Sequence, residues 1–191
     1  MGTLELRFGL PSWVSGYVGA GEVVFSTVEG RMRFVVGASR ENVRRGTGGP
    51  FGAAVFDDAG RLISLGVNIV EASNFSVLHA EIVAIALAQK ALGRYDLSDG
   101  GREQYELVTS TEPCAMCFGA IPWSGVRRLV CGARDEDARS IGFDEGPKLA
   151  NWADALESRG ITVVRDVLRE EAAAVLRKYA EGGGTIYNAG G

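Results

Sequence analysis

His79 is the only histidine in the chain, and it stands in the run Leu78-His79-Ala80-Glu81. Downstream, Glu112-Pro113-Cys114-Ala115-Met116-Cys117 supplies two cysteines three positions apart. One imidazole and two thiolates suit zinc, and a tetrahedral ion held by three protein ligands keeps a fourth position for water. That open position separates a catalytic zinc from a structural one, and the ion makes the water acidic enough to yield hydroxide near neutral pH. Glu81, two residues beyond His79, is the candidate proton shuttle, because a carboxyl in a closed pocket has a pKa suited to both taking and giving a proton. The reading is one zinc per subunit on His79, Cys114 and Cys117, with Glu81 as the catalytic acid and base.

The local sequence also says how these groups would be presented. Pro113 stands where a helix can begin, since its missing N–H would have no intrahelical partner there. Cys114 and Cys117 then share one face of the first turn, and the positive helix end favours thiolate over thiol. His79 opens a second helix, so two helix starts should converge on one ion. The competing reading is a closed structural site completed by Cys131. That cysteine lies late in the apolar run Leu129-Val130-Cys131, where it reads more naturally as a small buried hydrophobe. A purely structural site would also leave Glu81 without a task.

Stepping outward, residues 1–29 read as an arm, with one strand around 23–27, and residues 182–191 as a short tail after Gly182-Gly183-Gly184. Between them, 30–181 alternates strands and helices. A helix is expected over 31–44, a strand over 51–56, a turn at Asp57-Asp58-Ala59-Gly60 and a returning strand over 61–70. Then come a helix over 78–92 that is apolar almost all round, and so buried, a strand over 105–110, the cysteine helix over 114–123 and a strand over 126–132. A helix near 149–158, a strand over 161–164 and an amphipathic helix over 166–180 complete the series. Such alternation predicts an α/β fold, a three-layer α/β/α sandwich on a mixed central sheet.

The 191 residues suit one domain, and 46% hydrophobic with 23% charged residues is the balance of a globular protein. A net charge of −4 argues against nucleic acid as partner, which usually needs a basic stripe. Three cysteines in no disulfide pattern, and no apolar run of signal or membrane length, lead to the expectation of a cytoplasmic protein without a membrane partner.

With these residues in view, the paired H-x-E and P-C-x-x-C pattern is that of zinc-dependent base deaminases, and the chain resembles the cytidine-deaminase-like superfamily. It looks most like the guanine deaminase branch, including members that also accept ammeline. The resemblance runs through Gly49-Pro50-Phe51-Gly52-Ala53-Ala54-Val55-Phe56, His79-Ala80-Glu81, Ser110-Thr111-Glu112-Pro113-Cys114-Ala115-Met116-Cys117, Ile141-Gly142-Phe143-Asp144-Glu145-Gly146-Pro147 and Ile186-Tyr187-Asn188. It implies the cytidine deaminase type of sandwich and hydrolytic conversion of guanine to xanthine and ammonia, with ammeline as a side substrate. It also implies a homodimer whose C-terminal segments help to close the active sites.

Residue by residue, the resemblance makes Asn68 a hydrogen-bonding partner of the purine, Phe51 an aromatic stacked on it, Glu145 a second acidic residue that moves a proton to the departing amino group, and Tyr187 a tail aromatic near the substrate. Each has a plainer reading beside it. Phe51 could be core, Asp144-Glu145 a solvated loop, and Asn68 a buried polar group that needs some partner. Trp123, at the end of the cysteine helix, is a further candidate for the pocket wall, with packing as the alternative. The lead into the histidine, Asn74-Phe75-Ser76-Val77-Leu78, is more apolar than in many guanine deaminases. A nucleoside deaminase acting on guanosine or cytidine is the second reading, and a tRNA adenosine deaminase a third that the acidic charge disfavours.

Overall fold

Along each strand of the core, successive side chains leave on opposite faces. The strands are β1 (Gly52–Asp57), β2 (Leu62–Val67), β3 (Tyr105–Thr111), β4 (Arg128–Ala133) and β5 (Thr162–Val164), in the spatial order β2-β1-β3-β4-β5. The computed structural model describes residues 7–188. The first and last residues of the expected arm and tail, 1–6 and 189–191, lie outside it. The helices are α1 (Trp13–Val18), α2 (Val28–Arg44), α3 (Val70–Ser73), α4 (Ala80–Leu92), α5 (Ala115–Ser124), α6 (Asp135–Ser140), α7 (Trp152–Glu157) and α8 (Arg169–Glu181).

β1 pairs antiparallel with both β2 and β3, while β3, β4 and β5 run parallel, so the sheet is mixed as expected. Ala54, Phe56, Val108 and Val130 face one apolar cluster with Met32, Val35 and Leu176 of α2 and α8. Their strand neighbours Ala53, Val55, Leu107, Leu129 and Cys131 face the other, with Ala84, Ile121 and Leu156 of α4, α5 and α7. These two clusters, one on each face of the sheet, make the sandwich. Its hairpin turn closes with Gly60 N–H donating to the Asp57 carbonyl at 3.0 Å.

Several boundaries differ from expectation for local reasons. The strand expected at 23–27 is a single bridge from Val24 to Arg61, where the described part of the arm meets the sheet beside the hairpin. The arm holds instead the helix α1, tied to the fold by Trp13 Nε1 on Thr47 Oγ1 at 3.0 Å and by Tyr17 Oη on the Phe34 carbonyl at 2.7 Å. The returning strand stops at Val67, where Asn68 and Ile69 lead into α3. The last helix starts at Arg169 and not at 166, since Asp166 and Leu168 take left-handed backbone (φ +64° and +53°). α6 was not foreseen; it is short and nearly all polar.

One glycine fixes the placement of the site. A Cβ on Gly66 of β2 would collide with the Ala80 carbonyl oxygen and lie 2.5 Å from the Ala84 nitrogen. Its absence lets the first turns of α4 rest directly on the strand.

Candidate active site

His79 is the N-cap of α4, and Cys114 the N-cap of α5. The two helices therefore begin with the candidate ligands themselves, and Cys117 follows in the first turn of α5. Pro113 sits one residue before the cap and not within the helix; its fixed φ directs the chain into the extended backbone of Cys114 (φ −64°, ψ 172°). The His79 Nδ1 and Cys114 Sγ atoms are 3.5 Å apart, and the donor atoms of His79, Cys114 and Cys117 all lie within 4.8 Å of one another. Among the described residues Cys131 is not part of this group. Its side chain lies in the core cluster that includes Leu129 and Ile121, and burial drives its thiol well above the ordinary range.

Charge is organised around the cluster. A hydrogen bond with Cys117, helped by His79, pulls the Cys114 thiol down to about 4 in spite of burial, which makes it a thiolate. The same contact, together with burial, raises Cys117. For His79 burial disfavours the cation, but Cys114, Glu81 and Glu145 outweigh it and lift the imidazole above its usual value. Glu81 is 6% exposed. Burial, then the charge of Cys114, raises its pKa to about 7. Glu145, equally buried, reaches about 8, through burial first and then through Cys114, Glu81 and Asp135. Two soft sulfurs and one imidazole, close together and with Cys114 already biased toward thiolate, fit a zinc ion.

These groups line a cavity of about 510 Å³. Phe51 and Phe143 form one wall, ring against edge, with centroids 5.0 Å apart. Tyr187 continues it at 5.3 Å from Phe143 and 6.5 Å from His79. Asn188 also lines the cavity, and its carboxamide bridges the loop below, accepting from Asp144 N–H and donating to the Gly142 carbonyl, both at 2.9 Å. Tyr187 and Asn188 thus bring the tail to the cavity of its own chain.

The sequence-derived residues divide clearly. His79, Glu81, Cys114, Glu145, Phe51 and Tyr187 all reach the cavity, and Cys117 joins the cluster at its edge. Asn68 is fully buried behind that wall. Its side-chain nitrogen donates to Tyr187 Oη at 2.5 Å and its side-chain oxygen Oδ1 accepts from Val70 N–H at 3.3 Å, so the partner it needed comes from its own chain. Trp123 is 82% exposed and away from the cavity, a correction to its candidacy. Nine residues from Cys114 on one helix is about half a turn out of phase and roughly 13 Å along the axis. Phe143 and Asn188 were missed as site residues, although both stand in runs that the sequence singles out. Glu112 was missed too. It lines the cavity with its carboxylate paired to Arg165 at 2.6 Å.

Residues 26–133, more than half of the chain, match the family described as the cytidine and deoxycytidylate deaminase zinc-binding region. The chain belongs to this family. The matched segment contains His79, Glu81, Cys114 and Cys117, and the sheet is that of a cytidine deaminase-type fold. A guanine deaminase from Nitrosomonas europaea is 48% identical, with a TM-score of 0.88 over 93% of this chain and 97% of that one. The structure of NE0047 in complex with 2,6-diaminopurine is 49% identical, with a TM-score of 0.88 over 96% of both chains. The guanine deaminase of Bacillus subtilis (strain 168) is 45% identical over 105 residues, which span 55% of this chain and 64% of that protein.

Proposed function

We propose that this deaminase-family protein hydrolyses the exocyclic amine of a free purine base, guanine to xanthine and ammonia, with ammeline as a side substrate. The observation that carries the reading is the convergence, in one cavity that Tyr187 and Asn188 help to line, of the His79–Cys114–Cys117 cluster with two buried carboxyls beside an aromatic wall. Zinc held by those three residues would supply a Lewis acid that makes water a nucleophile at neutral pH.

The chain's own residues account for the remaining chemistry. Water must add to the amino-bearing ring carbon, the C–N bond must break, and protons must reach a ring nitrogen and the leaving amine. Glu81, poised near neutrality by burial, takes the proton of the attacking water and delivers it to the ring. Glu145, whose pKa burial raises to about 8, can donate a proton to the departing amine. Phe51 and Phe143 offer apolar faces to a planar base. The amide of Asn68 is bonded to Tyr187 Oη, a cavity-lining hydroxyl that can relay a hydrogen bond to a base.

Tyr187 and Asn188 line the cavity from the tail, and the reading is of a free base and not a nucleoside. The relatives that share most of this chain's length include a guanine deaminase and a protein bound to a diaminopurine. Both support a small purine substrate. Among the described residues no helix is long and apolar enough to cross a membrane. A cytoplasmic homodimer in purine catabolism, with one zinc per subunit, completes the reading.

A substrate panel tests it. Ammonia release should be fastest with guanine among guanine, ammeline, adenine, cytosine, guanosine and cytidine. Faster turnover of either nucleoside would overturn the base-only reading.

A further inference from the structure

We propose that Lys148 is a positioning residue for the reaction: its buried ammonium holds the loop that carries Glu145 against the backbone that presents Cys114. The inference rests on the reading of Glu145 as the proton donor to the leaving amine.

The Lys148 side chain is 6% exposed. Its Nζ donates to the Pro113 carbonyl at 2.9 Å, pairs with Asp135 Oδ1 at 2.8 Å and sits 4.9 Å from the Trp152 ring centroid. Withdrawing an ammonium from water is costly unless it is paired and hydrogen-bonded. An apolar chain of the same length would pack on Trp152 without that cost. What the ammonium adds is reach to two oxygens on separate segments, one directly before Cys114 and one at the start of α6.

The rest of the loop shows why that matters. Ala115 N–H, in the first turn of α5, donates to the Glu145 carbonyl at 2.9 Å. Lys148 to Pro113 is the second tie between the same two segments, so residues 145–148 and 113–115 are joined at both ends. Between the ties, Gly146 turns with φ +70°, and a Cβ there would be 3.0 Å from that of Ala115. Arg139 Nη2 braces the turn by donating to the Gly146 carbonyl at 2.8 Å, and Arg139 Nε is itself 2.5 Å from Asp135. Cutting the Lys148 tie leaves residues 145–148 joined to residues 113–115 through the Ala115–Glu145 bond, with Arg139 bracing the turn from α6. The backbone bearing Glu145 could then swing relative to Cys114, while β3, β4 and the three candidate ligands keep their places.

The test is a double-mutant cycle on zinc-loaded protein, with kcat expressed per bound zinc. Lys148→Met should lower kcat for guanine by roughly 10- to 100-fold, the cost of a small misplacement at a reacting group, with KM within about three-fold. Lys148→Arg, which keeps the charge and the donors, should recover most of the loss. In a Glu145→Gln background Lys148→Met should cost nothing further, because the group it positions is already gone. Independently of activity, hydrogen exchange at the Ala115 amide should quicken in Lys148→Met while the β3 amides stay protected. If Lys148→Met does not fold, Lys148→Gln serves in the same cycle. The inference is overturned by an equal loss in both backgrounds, or by a lowered Tm at unchanged kcat and unchanged Ala115 exchange. A wild-type protein inert toward guanine would remove the underlying reading instead.

Discussion

Replacing Gly66 by alanine changes one hydrogen into a methyl group on a strand far from solvent, and its effect can be worked out from the contact it would make. The new Cβ would stand 2.5 Å from the Ala84 nitrogen and closer still to the Ala80 carbonyl oxygen, where ordinary contact begins at 3.4 Å. Both atoms belong to the backbone of α4, so no side chain can turn aside. The helix must retreat by about 1 Å, and overpacking of this kind costs about 1–3 kcal/mol of stability. His79 and Glu81 ride on the N-terminal end of that helix, whereas Cys114 and Cys117 ride on α5. The retreat therefore separates the imidazole from the two sulfurs as well as moving the carboxyl. A misplacement of about 1 Å at reacting groups costs on the order of 100-fold in rate. Gly66→Ala should thus lose most of its kcat, bind zinc more weakly in a chelator competition and melt several degrees lower. Wild-type kcat and zinc affinity in this variant would refute the claim that direct helix–strand contact sets the site.

Two further outcomes follow from the carboxyls. Glu81→Gln, which leaves the three donors untouched, should retain one zinc per chain by metal analysis and lose roughly 10²–10⁴-fold in turnover; loss of the metal would show that Glu81 serves the cluster and not the proton. Glu145 is raised from 4.5 to about 8, so its contribution to stability is present in acid and is lost as pH rises through about 8. In zinc-free protein, the Tm of Glu145→Gln minus that of wild type should therefore grow between about pH 5 and pH 8, and a difference that shrinks over this window would contradict the buried, uncharged state.

Local chemistry was the legible part of this chain. The ligands and Glu81 lie within short runs whose helix starts are set by residues beside them, so spacing alone brings Cys114 and Cys117 together, and the H-x-E pattern adds His79 and its carboxyl. Strand alternation and the all-round apolarity of α4 made the sandwich readable for the same reason. What escaped was long-range. Nothing local to Asn68 says that its amide will meet Tyr187, 119 residues away, and nothing local to Lys148 says that it will cross to Pro113. Trp123 was misplaced through reading proximity in sequence as proximity in space, when its helical phase points it away from Cys114. α1 escaped because a six-residue helix in a glycine-rich arm has no propensity signal of its own, and is held by Trp13 and Tyr17 reaching the body of the fold.

The proposed chemistry requires an ion held by one nitrogen and two sulfurs with a place left for water beside Glu81. X-ray absorption at the zinc edge of the purified protein tests this directly. Two sulfur scatterers at about 2.3 Å, one imidazole nitrogen at about 2.0–2.1 Å and one further light oxygen are the predicted shell. A third sulfur, or a fourth protein ligand in place of the oxygen, would contradict it.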